Sequence, residues 1–184
     1  MCRWLKEKQG SFAIIVAIVV FVGALTVTAF VDMLSRTYLI NEVQSIMDVS
    51  GTSALRTGVD VVNLRAEDFR FDKNLVESNY RRMVSDQVGR LPNISHYQFV
   101  DMDVSVFQSA FGLGQTGKPR WQGMIDSTMM IQVEASPVFD LIPGATETFY
   151  DAKSSSSFQV SYVGKTEDGK VELLVRSVTR VVYR

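Results

Sequence analysis

The sequence predicts an α+β chain with a long N-terminal transmembrane helix that continues outside the membrane, a second amphipathic helix and an antiparallel four-stranded sheet. Three observations predict it. Residues 12–31 carry no charge over 20 positions, and a helix rising about 1.5 Å per residue then covers about 30 Å, the thickness of bilayer hydrocarbon. Residues 72–89 repeat apolar side chains at spacings of three and four, the mark of a helix with one buried face. From residue 95 onward the period changes to two in four successive segments, as half-buried strands require.

Length and composition bound what the elements can build. A chain of 184 residues, 46% hydrophobic and 21% charged, suffices for one core plus an anchor. The net charge of −1 gives no basic footprint for phosphate backbones, so nucleic acid is not an expected partner. Cys2 is the single cysteine and precedes the apolar run, so an outer domain has no disulfide and must be held by packing. No apolar signal stands before Cys2 in this sequence, so it is not expected to belong to a lipobox; it reads as a bystander or as a juxtamembrane palmitoylation site.

The apolar run begins at Phe12 and ends at Val31, with Arg3, Lys6 and Lys8 on its N-terminal side. Those cations keep the N-terminus cytoplasmic and send the C-terminal part across. Three readings compete for the run. A buried core helix rarely needs apolar side chains on every face. A cleaved signal is supported by Val27, Thr28 and Ala29, small residues at signal-peptidase spacing, and it leaves an exported binding or adhesion module. A retained anchor is the simpler account, because the helical pattern continues from Asp32 past Met47 without proline or glycine. The domain plan is then a basic leader or tail over 1–10, a transmembrane helix over 11–31, a helix extension over 32–58 and an outer α+β domain over 59–184.

Gly10 and Ser11 lie directly before the run. A short basic leader ending in glycine is the kind of site a prepilin peptidase cleaves, and the other reading is that Gly10 simply ends a cytoplasmic tail. The stretch from Gly10 to Ala17, the exit pair Val31 and Asp32, the ordered set Arg36, Tyr38, Glu42, Gln44 and Asp48, and then Ala54-Leu55 resemble TadE/TadG-like proteins. These are pseudopilins of tight-adherence (Flp-type) pilus systems, related to type IV pilins. The resemblance covers about the first third of the chain. It implies a pilin-like fold, a single-pass cell-membrane location with an extracytoplasmic domain, and other pilin or pilus-assembly subunits as partners, with oligomers formed through the N-terminal helix. It also carries the prospect of incorporation into a surface pilus. Pilins of this group carry a glutamate five residues after the cleavage point, where Ile15 stands here, so the resemblance points to an accessory subunit rather than a major pilin.

Beyond the membrane, Leu39, Val43, Ile46, Met47 and Ala54 give the extended helix an apolar stripe, and Gly51 and Gly58 bracket its expected end. Residues 60–71 read as a connection whose Leu64, Phe69 and Phe71 tuck inward. The second helix sets Val76, Tyr80, Met83, Val84 and Val88 against Lys73, Glu77, Arg81 and Asp86, and stops before Pro92. The first strand, over 95–107, opposes Tyr97, Phe99 and Phe107 to Val100, Met102, Val104 and Val106. The second, over 123–135, alternates through Ile125, Met129, Ile131 and Val133. The third carries Phe158, Val160 and Tyr162; the fourth runs from Val171 to Tyr183 after an Asp168-Gly169 turn. Short links predict a meander with the two helices on one face.

Catalytic inventory is thin, and the chain does not read as an enzyme; no cofactor is expected. His96 is the single histidine and reads as a half-exposed strand residue. Zinc sites and Cys/His nucleophiles fail on residue supply. Asp101 and Asp103 share a strand face and with Asp126 offer carboxylates to a hard cation, although a solvated face is the plainer reading. The glycine-rich stretch 111–119 lacks phosphate-loop spacing and is followed by no helix. Trp121 beside it reads as a subunit contact. Asn93-Ile94-Ser95 matches a glycosylation acceptor, and the serines at 154–157 read as a link.

Overall fold

The computed structural model describes residues 2–60, 69–109, 120–139 and 143–183. Helix α1 runs Cys2–Thr57, and the chain divides into two units, residues 1–38 and residues 39–184. In the first unit α1 is regular, and its threonine hydroxyls bond back to their own helix. Thr26 Oγ1 donates to Val22 O at 2.8 Å, Thr28 Oγ1 to Ala24 O at 2.9 Å and Thr37 Oγ1 to Met33 O at 2.9 Å. Bonding back to the preceding turn lets threonine sit mid-helix without an unmet polar group.

The second unit holds the rest of α1, helix α2 (Lys73–Val88), strands β1 (Ile94–Ser109) and β2 (Arg120–Val133), helix α3 (Ala145–Asp151), and strands β3 (Phe158–Lys165) and β4 (Val171–Val182). Its core is one cluster. Leu39, Ile40, Val43, Met47, Ala54 and Leu55 of α1 meet Val76, Tyr80, Val84 and Val88 of α2 over the inward residues of the sheet. The apolar stripe expected of α1 is buried, and so is that of α2 except for Met83, which is only half-buried. Asp72 caps α2, its carboxylate accepting from the Leu75 N–H at 3.0 Å, which satisfies one of the orphan amides of the first turn.

The helix-facing surface of the sheet is built from small residues where α1 comes closest. A methyl group placed on Gly51 would lie 2.7 Å from Thr179 Oγ1 and 2.8 Å from Thr179 Cβ. Gly51 is therefore a contact point inside α1; the helix closes at Thr57, between Gly51 and Gly58 as expected. A methyl on Gly123 would lie 2.6 Å from the Tyr183 hydroxyl, and that hydroxyl donates to Leu55 O at 2.9 Å. The bond satisfies one of the carbonyls that the last turn of a helix leaves open.

Two expectations are corrected. All pairings are antiparallel, but the strand order is β1-β2-β4-β3, so the sheet is not a meander. The link from β2 to β3 is long and includes α3, whose Tyr150 is buried against the core; this gives β3 the reach to leave a strand's width for β4. The second correction concerns β1. The register shifts between Phe99, opposite Met129, and Asp101, opposite Thr128. Val100 is the extra residue of a bulge, and the alternation changes phase there. Tyr97 and Phe99 before it, and Met102 and Val104 after it, consequently pack on the same core face, while Val100 is 58% exposed.

Candidate functional site: an apolar helix and an open sheet face

Between Phe12 and Val31 the first unit exposes apolar surface on every side of α1. Phe12 is 68% exposed, Val20 65% and Val31 58%. This segment is long and apolar enough to cross a membrane, and no part of its most apolar stretch is buried. Polar side chains return one turn later, where Arg36 Nε donates to Asp32 Oδ1 at 3.4 Å, an i,i+4 pair on one helix face. Gly10 and Ser11 lie within the span of α1. Tyr38 is exposed.

The remaining residues of the ordered set lie in the second unit. Glu42 and Gln44 are half-buried, flanking the buried Val43. Asp48 accepts a hydrogen bond from Ser177 Oγ at 3.0 Å. Ser177 stands opposite Ser127 in the β2/β4 register, and Ser127 shares a 2.6 Å hydrogen bond with the Tyr80 hydroxyl. Asp48, Ser177, Ser127 and Tyr80 thus join α1 and α2 to the middle of the sheet through polar contacts in an apolar core. Burial pushes the Tyr80 phenol up to about 12; the Ser127 hydrogen bond opposes that shift and the Asp48 charge adds to it. Burial also pushes Tyr183 up to about 12. Ser127 and Ser177 escaped the sequence reading, although each stands in phase with buried neighbours, Ile125 and Met129 in one strand and Leu173 and Val175 in the other. A serine in a buried phase must find a partner.

Trp121 is half-buried and stacks on Phe69 with ring centroids 4.6 Å apart and planes 6° from parallel. Tyr183 flanks Phe69 at 5.4 Å. Phe69 and Phe71 tuck inward as expected; Leu64 and the glycine-rich stretch 111–119 lie outside the described residues.

The other face of the sheet is open among the described residues. Asp101 and Asp103 of β1 reach it beside Asp126 of β2, as the spacing predicts, with Asp103 directly opposite Asp126. Asp126 is taken by a cation from the chain itself. Arg176 Nε donates to Asp126 Oδ1 at 2.8 Å and its Nη2 to Oδ2 at 2.5 Å, a bidentate fork. That hydrogen bonding holds the Asp126 carboxyl below its usual value, against the opposing effect of desolvation. Among the described residues no group of three His, Cys, Asp or Glu side chains gathers at metal-binding distance. His96 is exposed on β1.

Comparison with family models, with curated proteins and with solved structures yields no match.

Proposed function

We propose that this chain is a membrane-anchored accessory subunit of a tight-adherence, type IV-like pilus system, of the TadE/TadG-like kind. Residues 12–31 span the cell membrane, the N-terminus is cytoplasmic and the α+β unit is extracytoplasmic. One observation carries the membrane part: an uncharged run exposed on every face of its helix. About a dozen large apolar side chains at half exposure or more would cost on the order of 10 kcal/mol in water, and a bilayer removes that cost. The i−4 bonding of Thr26 and Thr28 suits a medium that offers polar groups no water. The basic residues before the run set the orientation.

The pilus part is supported by the resemblance of Gly10, Asp32, Arg36, Tyr38, Glu42, Gln44 and Asp48 to the pseudopilin pattern, and Ile15 favours an accessory role. The subunit works by holding a packed outer unit at the membrane for lateral contact with other subunits. Sequencing the N-terminus of the mature protein from isolated membranes tests this. A start at Ser11 supports prepilin processing, and an intact Met1 supports a static anchor. A start at Phe30 with the protein released from membranes sinks the anchored reading in favour of an exported binding module. The pilus assignment fails if a strain lacking the protein still assembles its surface pili.

A further inference from the structure

We infer that the open face of the sheet is a docking surface for a second copy of this chain, the two copies pairing face to face about a two-fold axis that runs along the strands between β2 and β4. The inference does not depend on the pilus reading. It starts from an asymmetry of charge. On this face the β1 edge carries Asp101 and Asp103, while β4 carries Arg176 and Arg180; all four are exposed. Arg176 is engaged by Asp126. Among the described residues, neither Asp103 nor Arg180 has a hydrogen-bond or ion-pair partner. One acid on one side of the sheet and one base on the other are therefore left without an opposite charge.

The registers place these groups on a common grid. Asp101 lies in line with Thr128, Arg176 and Gln159, Asp103 with Asp126 and Val178, and Ser105 with Met124 and Arg180. A two-fold axis parallel to the strands keeps each level and exchanges the left and right sides of the sheet. The acids of β1 in one copy then face the β4/β3 side of the other, where Ser156, Ser157, Gln159 and Arg180 line a shallow notch, and the same contact is made twice. On the two central strands Met124, Met130, Leu174 and Val178, half-buried in the single chain, flank the Asp126–Arg176 pair, so apolar surface and an already neutralised ion pair lie inside the charged sides. A partner of unrelated sequence would need no such opposition of charge across the face; a second copy does.

The area also fits. Strands of 16, 14, 12 and 8 residues, each residue occupying about 3.3 by 4.8 Å of sheet, offer on the order of 800 Å², close to what each partner contributes to a standard interface. Sheets packed this way align to within about 30°, so the acid-to-base correspondence survives the twist.

The test uses the full chain in a mild detergent, with mass measured by sedimentation. The wild type is expected to dimerise, with an affinity that falls as salt is raised. Arg180→Glu leaves Arg176 held by Asp126 and makes the face net acidic, and the pair Asp101→Lys with Asp103→Lys makes it net basic. Each variant alone is expected to dimerise about tenfold more weakly or worse, with an unchanged circular dichroism spectrum. An equimolar mixture of the two is expected to regain the dimer, because opposite faces now meet. A wild type that stays monomeric at high concentration overturns the inference. So does a dimer that both variants leave intact, which would place the contact elsewhere, and so does a mixture that fails to re-associate. Binding of inorganic phosphate by a monomer, lost in Arg180→Glu, would make the notch an anion site and likewise overturn it.

Discussion

Replacing Gly51 with alanine pits two effects of opposite sign against each other. In an unconstrained helix interior the change gains about 1 kcal/mol, because glycine loses more backbone freedom on folding. Here the new methyl would meet Thr179 Oγ1 at 2.7 Å, Cβ at 2.8 Å and Cγ2 at 3.0 Å, where carbon atoms prefer about 3.5 to 4.0 Å. Thr179 is 8% exposed and its Cβ is fixed to the backbone of β4, so it cannot swing aside. Overpacking of this kind costs about 1 to 3 kcal/mol, and three contacts at or under 3.0 Å belong in the upper half of that range. The net expectation is a loss of about 1 to 2 kcal/mol. Urea unfolding of the full chain in mild detergent, followed by tryptophan fluorescence, would read it as a lower midpoint at constant slope. Adding Thr179→Ala removes the Oγ1 and Cγ2 contacts, so the double variant should recover about 1 kcal/mol beyond additivity. A Gly51→Ala chain more stable than the wild type would refute the reasoning, since it would mean that α1 and β4 are not in contact there.

Tyr183→Phe should cost about 1 to 2 kcal/mol, because it leaves the Leu55 carbonyl buried without its donor; the same urea titration measures it. Tyr80 and Tyr183 both titrate near 12 when folded against about 10 in the unfolded chain. The native state therefore holds its phenolic protons longer than the unfolded one. Their contribution is fully present below pH 10 and is lost as pH rises from about 10 to 12, which stability measured alongside phenolate absorbance would follow. Val104→Ala, at 7% exposure, should lose about 1 kcal/mol or more, whereas Val100→Ala, at 58%, should stay within about 0.5 kcal/mol; equal losses would contradict the bulge. Ile18→Asp should cost about 3 kcal/mol of insertion at the middle of the apolar helix and shift the protein out of the alkali-resistant membrane fraction.

Local rules made most elements legible. The α2 stripe follows from spacing within a few residues, and so do the strand segments with their alternating burial. What escaped depends on partners far along the chain. A bulge at Val100 is invisible in β1 alone, because only β2 defines the register that it breaks. The serines over Tyr80 and Asp48 look like interruptions of apolar strands until the helices are laid over them. Helix α3 is seven residues long, too short for a periodic signal. Asp126 looked like a third carboxylate for a cation because Arg176 stands 50 residues away and only the β2/β4 pairing brings them together. The apolar run, in contrast, needed no partner to be read, since its length and lack of charge are properties of the segment itself.

The β1-β2-β4-β3 order has a consequence for how the unit comes to be made. The strand latest in the chain fills the gap between two that precede it, so until β4 arrives both β2 and β3 present bare hydrogen-bonding edges. A nascent chain emerging N-terminus first can pair β1 with β2 early, but β3 must wait without a neighbour. The Asp48–Ser177 contact joins residues 129 apart and the Leu55–Tyr183 contact residues 128 apart, so the helix also acquires these partners last. Such a unit closes in one late step, and an interruption before residue 171 would leave two further open edges, one on β2 and one on β3, rather than a shortened sheet, a species prone to edge-to-edge association with its neighbours.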